Sequence, residues 1–256
     1  MLEENRLESR IRIKLQGLEK NHNIRILYAC EAGSRAWGIS SPNSDYDVRF
    51  VYTHQENWYL QLYEGKDVIE YTCEENRLEL NGWDIKKTLK LLNKSNPSLF
   101  EWLQSPITYC IDEVFFNQLI DLTSKAFSPD IALYHYLNIA KQNNKLLMKK
   151  PTTKGYLATL KPIISCQWII QHRNIPPFGD RMLFFHYIED NLIEDQIELL
   201  LKKKQVGVKQ FSSYLLDNYI CITLERIENC LKKPIKNSYH LTDQLTKLFI
   251  STVKGF

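Results

Sequence analysis

Gly33-Ser34-Arg35-Ala36-Trp37-Gly38, followed by Ser44-Asp45-Tyr46-Asp47, is the stretch on which the reading of this chain turns. It leaves an apolar run, Ile24-Arg25-Ile26-Leu27-Tyr28-Ala29-Cys30, that reads as a β-strand. A Gly-Ser turn at the end of a strand lets the backbone approach an anion, because glycine has no Cβ in the way. Free amide groups at the turn and the Ser34 hydroxyl can then hold phosphate oxygens. Asp45 and Asp47 stand at the start of a second β-rich run, Val48-Arg49-Phe50-Val51-Tyr52. Residues i and i+2 of a strand share a face, so the two carboxylates project together. Like charges that close call for a cation. Mg²⁺, a hard ion that takes one or two carboxylates and completes its shell with water and phosphate oxygens, suits the pair.

Outward from this stretch, Leu7, Ile11, Leu15 and Leu18 recur at helical spacing and predict a helix over about 3–21. Further strands are expected over Asp67–Tyr71 and Arg77–Leu80, with a short helix around Trp58–Tyr63 between the Asp47–Tyr52 strand and these two. Gly82 is expected to break the last strand. Asp84 then opens a helix carrying Ile85, Leu89 and Leu92 on one face, which Asn96-Pro97 ends, and another helix contains Leu99–Leu103. Beyond Ser105-Pro106 only helical periodicities are legible, over about 112–126, 129–149, 154–172, 191–205, 208–231 and 239–253. The expected fold is α+β. A domain over 1–105, with a small mixed sheet flanked by helices, precedes an all-α domain over 106–256 that closes a cleft between them.

Composition narrows the class. The 256 residues are 44% hydrophobic and 25% charged, ordinary for a globular protein. No apolar run reaches the ~20 residues of a membrane span, and the N-terminus begins acidic, so a cytoplasmic protein without a membrane partner is expected. Six scattered cysteines show no Cys-x-x-Cys pair and read as plain thiols. The net charge of +3 hides an asymmetry, since residues 1–105 hold 14 Lys/Arg against 16 Asp/Glu and the remainder 19 against 14. That basic half could meet nucleotide phosphates or a polynucleotide, although lysines on solvated helix faces, such as Lys202-Lys203-Lys204 at one helix end, give the same count.

The order Gly-Ser, spacer, Asp-x-Asp, with a further acid on a later strand, resembles the DNA polymerase β-like nucleotidyltransferase superfamily. Gly33–Gly38, Ser44–Arg49, Gly82–Lys87, Asn96-Pro97 and Glu101–Pro106 are similar to a predicted nucleotidyltransferase family that includes proteins associated with RNA-repair ligases. The likeness thins over Lys154-Gly155-Tyr156, Thr159-Leu160-Lys161-Pro162 and Pro176-Pro177. It implies a transferase moving NMP from an NTP onto an acceptor, with a two-ion Mg²⁺ or Mn²⁺ site, an RNA end as acceptor and a functional link to an RNA ligase. Other readings are adenylyl transfer to a small molecule or protein, and a silent nucleotide-binding sensor or ligase partner.

Two-metal transfer needs several convergent carboxylates. Asp45 and Asp47 are two. Glu79, flanked by Leu78 and Leu80 in a strand, is the preferred third catalytic and metal-binding acid, although related sequences carry Asp there. Asp84 competes but suits a helix N-cap, and Glu70 reads as an outward strand residue. Nucleotide binding is assigned to Gly33, Ser34 and Arg35, with Arg35 as a bidentate fork on the triphosphate. Arg49 joins them, to touch a phosphate or pair with the aspartates. Lys154 and Lys161, two helical turns apart, share a face that could hold the triphosphate, with Tyr156 nearby to stack a base. Trp37 reads as core, His135 as an ordinary helix residue and Pro176-Pro177 as a rigid turn.

Overall fold

The computed structural model describes residues 2–73, 77–231 and 241–255. Its centre is a five-stranded mixed sheet in the order β3-β4-β2-β1-β5. The strands are β1 (Ile24–Glu31), β2 (Tyr46–His54), β3 (Val68–Cys73), β4 (Leu78–Asp84) and β5 (Thr108–Ile111). The β2 and β4 pair runs parallel and the other neighbours antiparallel.

Alternation along β2 and β4 sorts the side chains onto two faces. Val48, Phe50, Tyr52, Leu78 and Leu80 pack against Ile11, Leu15 and Leu18 of α1 (Leu2–His22). Asp47, Arg49, Glu79 and Asn81 therefore belong to the opposite face. Farther along the strands that face is covered by α4 (Ile85–Asn93), α5 (Pro97–Leu103), α6 (Glu113–Ala126) and α11 (Thr242–Lys254), through Leu89, Phe100, Leu119 and Leu245. The charged ends of β2 and β4 lie at the margin of this core.

Three expectations are corrected here. The strand β5 lies past Pro106, where only helical periodicity was legible, because four residues are too few to show a period. It continues the sheet beyond residue 105, and α6 and α11 share the core beneath that sheet. Gly82 does not break β4 but sits within it, opposite Phe50, where a Cβ would stand 2.1 Å from the ring. The last long helix before the C-terminal one, α10 (Tyr214–Asn229), starts at Ser213 rather than near 208, with the Ser213 hydroxyl as its cap. Of the helix expected over 239–253, residues 239 and 240 lie outside the described residues. The short helix α3 spans Glu56–Tyr59.

Asp84 is the cap of α4, accepting from the Lys86 amide at 2.7 Å, and also accepts from the Tyr59 hydroxyl at 2.6 Å. It is 1% exposed, and burial raises its carboxyl above the usual range. Asp84→Ala is expected to cost about 1–2 kcal/mol of stability, the cap bond plus a buried hydroxyl left short of its acceptor. Urea unfolding measures this, and nucleotide binding is expected to survive.

The remaining helices, α7 (Pro129–Lys149), α8 (Thr153–His172), α9 (Asn191–Gln205) and α10, build a second core around Leu133, Leu160, Ile197 and Ile220. Pro162 lies inside α8 and withholds an amide from the Ala158 carbonyl four residues earlier. Asn143 supplies the missing donor at 2.8 Å, so the helix continues. Trp37 joins this core, packing on Phe178 and Phe184, and thereby ties the Gly-Ser turn to the helical part. The Pro176-Pro177 turn bonds back through the Pro176 carbonyl to Gln104 at 3.0 Å.

Candidate nucleotide site

At the end of β1 the chain turns through Gly33, which has φ +60, into the single-turn α2 (Gly33–Ala36). Glycine is needed for two reasons. The left-handed backbone disfavours other residues, and a Cβ here would stand 1.9 Å from Asp47 Oδ2. The turn and the Asp47 carboxylate are thus in direct apposition, joined also by the Ala32 amide donating to the Asp47 carbonyl at 2.7 Å.

Parallel pairing sets Asp47 beside Glu79 and Arg49 beside Asn81. Arg49 spans the two acids, with Nη1 at 2.8 Å from Glu79 Oε1 and Nη2 at 3.7 Å from Asp47 Oδ1. Asp45, exposed, precedes β2 by one residue. Glu70 is one strand farther out and accepts from Asn81 at 3.0 Å. Among the described residues no three metal-ligating side chains gather as a ready site.

Arg35, assigned to the triphosphate on sequence, also has partners within the chain. Its guanidinium stacks on Tyr46, 3.6 Å from the ring centroid, and donates to the Ser44 carbonyl at 2.9 Å and the Asp45 carbonyl at 3.2 Å. It fastens the turn that carries Asp45. Spacing could not reveal this, because the partners are backbone atoms nine and ten residues away.

Two neighbours of the candidate site escaped the sequence analysis. Glu31, 0% exposed, accepts from the Asp47 amide at 2.8 Å and from the Tyr109 hydroxyl at 2.6 Å, bracing Asp47 from behind. A glutamate closing an apolar strand, just before Gly33, was the available signal. Burial pushes its carboxyl from 4.5 to about 7. Between those pH values the folded, metal-free chain binds more protons than the unfolded one, so stability falls as pH rises through that window. Glu31→Gln lacks this slope. It is expected to gain on the parent between pH 4.5 and pH 7 by an amount on the order of 3 kcal/mol. Urea midpoints in chelator read the difference, and a pH-independent offset would contradict it.

The other neighbour is Lys204, from the lysine run read as a solvated helix end. Its ammonium donates to Ser44 Oγ at 3.3 Å and feels the charges of Lys154, Asp45, Asp47 and Arg35, with burial lowering its affinity for a proton. Lys161, from α8, lies 4.8 Å above the Trp37 ring and senses Glu101, Lys204, Asp47 and Lys154. Burial lowers its pKa, and burial raises that of Glu101, which also accepts from Tyr136 at 3.3 Å. Lys161 of α8 and Lys204 of α9 thus meet the acidic end of β2, with Lys154 of α8 beside them. Tyr156, by contrast, is 0% exposed and bonded to Asp217 at 2.6 Å, so the sequence-expected stacking ring is a core residue. His135 is a half-buried residue of α7 whose pKa is lowered by burial.

An Asp-x-Asp strand set against a Gly-Ser turn in a mixed sheet, with helices facing it, defines a DNA polymerase β-like nucleotidyltransferase class of protein. Residues 7–251 match RlaP, the RNA repair pathway DNA polymerase beta family, and the chain belongs to that family. It is 36% identical over 253 residues to the uncharacterized protein YcgL of Bacillus subtilis strain 168, spanning 97% of each chain. A solved nucleotidyltransferase-like protein from Exiguobacterium sibiricum 255-15 aligns over 96% of this chain and 80% of its own, at 12% identity and a TM-score of 0.29.

Proposed function

We propose that the chain transfers NMP from an NTP to an acceptor in a divalent-metal-dependent reaction, with an RNA end as the acceptor in an RNA-repair setting. The observation that carries this reading is the meeting of opposite charges. Lys161 and Lys204 feel the charge of Asp47, Lys204 feels that of Asp45 and bonds Ser44 beside it, and Glu79 stands in register with Asp47. A triphosphate carrying a cation complements both sets.

The carboxylates fit an ion of the Mg²⁺ or Mn²⁺ type. All are hard oxygen donors, and Asp45 and Asp47 would hold a first ion, with Glu79 joining once Arg49 releases it. Such an ion, when bound, neutralises charge at the reacting phosphate. The residues of this chain do the rest. The Gly33-Ser34 turn offers its amides and hydroxyl to phosphate oxygens, and Lys154, Lys161 and Lys204 balance the leaving pyrophosphate. Glu31 holds the Asp47 backbone, and Arg35 holds the turn before it. The helices α7 to α10 close over the nucleotide, with Trp37 as the joint.

The Arg49 bridge between Asp47 and Glu79 favours one second reading, a nucleotide binder without turnover, because an internal cation already satisfies two of the acids. Thermal shift with each NTP, with and without Mg²⁺, tests binding. The transferase reading expects stabilisation that needs the metal. Shifts that are equal in chelator favour the silent binder, and no shift with any NTP would contradict both.

A further inference from the structure

Outside the cleft, three segments distant in sequence meet on one surface of the helical part. The Thr153 amide donates to the Lys209 carbonyl at 3.0 Å, and Thr152 bridges to Gln210. The end of α7, the start of α8 and the segment after α9 are thereby stitched together. Their junction bears Lys150, Lys154, Lys203 and Lys209, three of them exposed and Lys203 half-buried. Among the described residues none of these is in an ion pair, whereas nearby Lys202 is neutralised by Glu198 at 2.8 Å. At the same junction lies an open cavity of about 530 Å³. Pro151, Leu199 and Phe211 give it an apolar lining, and Gln196, Gln210 and Lys203 a polar one. Tyr214, 82% exposed, follows three residues after Phe211.

We propose that this groove holds an unpaired base of a single-stranded polynucleotide, with Lys203 and Lys209 on the adjoining phosphodiesters. A base needs an apolar surface to stack on and amides at its edge, and the strand needs cations spaced along it. A free phosphate would make no use of Pro151 and Leu199, and a bare apolar ligand would make no use of the lysines. The end of α9 links the groove to the neighbourhood of the nucleotide site. The turn after α9 lies against Asn43, 3.7 Å from where a Cβ of Gly207 would stand, and Lys204 reaches Ser44 beside Asp45. A strand seated in the groove passes Lys154 on its way to the acidic end of β2. Its role as the acceptor rests on the transferase reading; its binding does not.

Fluorescence anisotropy of a labelled single-stranded oligoribonucleotide of about a dozen residues tests the groove on the full chain. Leu199→Glu, at a 41% exposed position on the groove lining, is expected to weaken binding about tenfold, the worth of one stacked base. Lys203→Glu with Lys209→Glu is expected to weaken it about tenfold or more and to reduce the salt slope by about 1.4. Lys90→Glu, on α4, serves as the control and leaves binding unchanged, with melting curves checking that every variant folds. An abasic strand of equal length is expected to bind about tenfold more weakly than the parent strand. Parent-like affinity in Leu199→Glu, or equal affinity for the abasic strand or a duplex, would overturn the proposal. Strand binding that depends on the groove, in a chain that never transfers label, would sink the transferase reading and leave the groove standing. Parent-like strand binding by the groove variants, in a chain that does transfer label to RNA, would do the reverse.

Discussion

Asp47→Asn and Asp45→Asn are each expected to lower nucleotidyl transfer by about 10²-fold or more, at least ~2.7 kcal/mol of transition-state stabilisation. Neither residue is needed by the core. Asp45 is exposed, and Asp47 uses its backbone, not its carboxylate, to bond Glu31 and Ala32. The melting temperature is therefore expected to hold while turnover falls. Glu79→Gln is expected to fall with them, since its ion-pair partner among the described residues is Arg49 and its side chain is 49% exposed. Initial rates at saturating Mg²⁺ and NTP measure all three. Undiminished metal-dependent turnover in both aspartate variants would remove the carboxylates from the chemistry.

Gly33→Val is expected to be as damaging by a different route. The branched side chain enters the space of the Asp47 carboxylate, and a backbone at φ +60 costs a β-branched residue about 1–2 kcal/mol. The sequence offers one reason for glycine here, room for a phosphate; the structure adds a second, room for the acid. The variant is expected to lose both Mg²⁺·NTP binding and stability, whereas Ser34→Ala loses binding alone, by about 1 kcal/mol for one hydrogen bond. Calorimetric titration with a non-hydrolysable NTP separates them. Parent-like affinity in Gly33→Val would show that the turn does not meet the nucleotide.

Local signals carried the fold where elements were long. The 3.6-residue period over 129–149 and 191–205 returns as α7 and α9 with the same limits, because each helix has one apolar face, an entry signal and a distinct stop. The strand β5 has none of these and owes its existence to the open edge of β1, a long-range contact that no local window contains. The same distinction runs through the site. Gly33, Ser34, Asp45 and Asp47 were legible because turn chemistry and strand alternation act over a few residues. Glu31 was hidden by its resemblance to a strand end, and its purpose depends on Tyr109, 78 residues away. Lys204 was hidden by two adjacent lysines of the same helix turn, of which Lys202 does pair off on the surface. Only tertiary packing distinguishes the lysine that reaches Ser44 across 160 residues.

The metal-dependent transfer of an α-phosphate is the claim on which these readings converge. Incubating the purified chain and Mg²⁺ with each α-³²P-labelled NTP and a pool of RNA 3′ ends, tRNA, small molecules and proteins measures it directly. The account predicts covalent label on an acceptor, strongest on RNA, abolished by chelator and by Asp47→Asn. No labelled acceptor with any NTP, from a chain that still binds Mg²⁺·NTP, would contradict it.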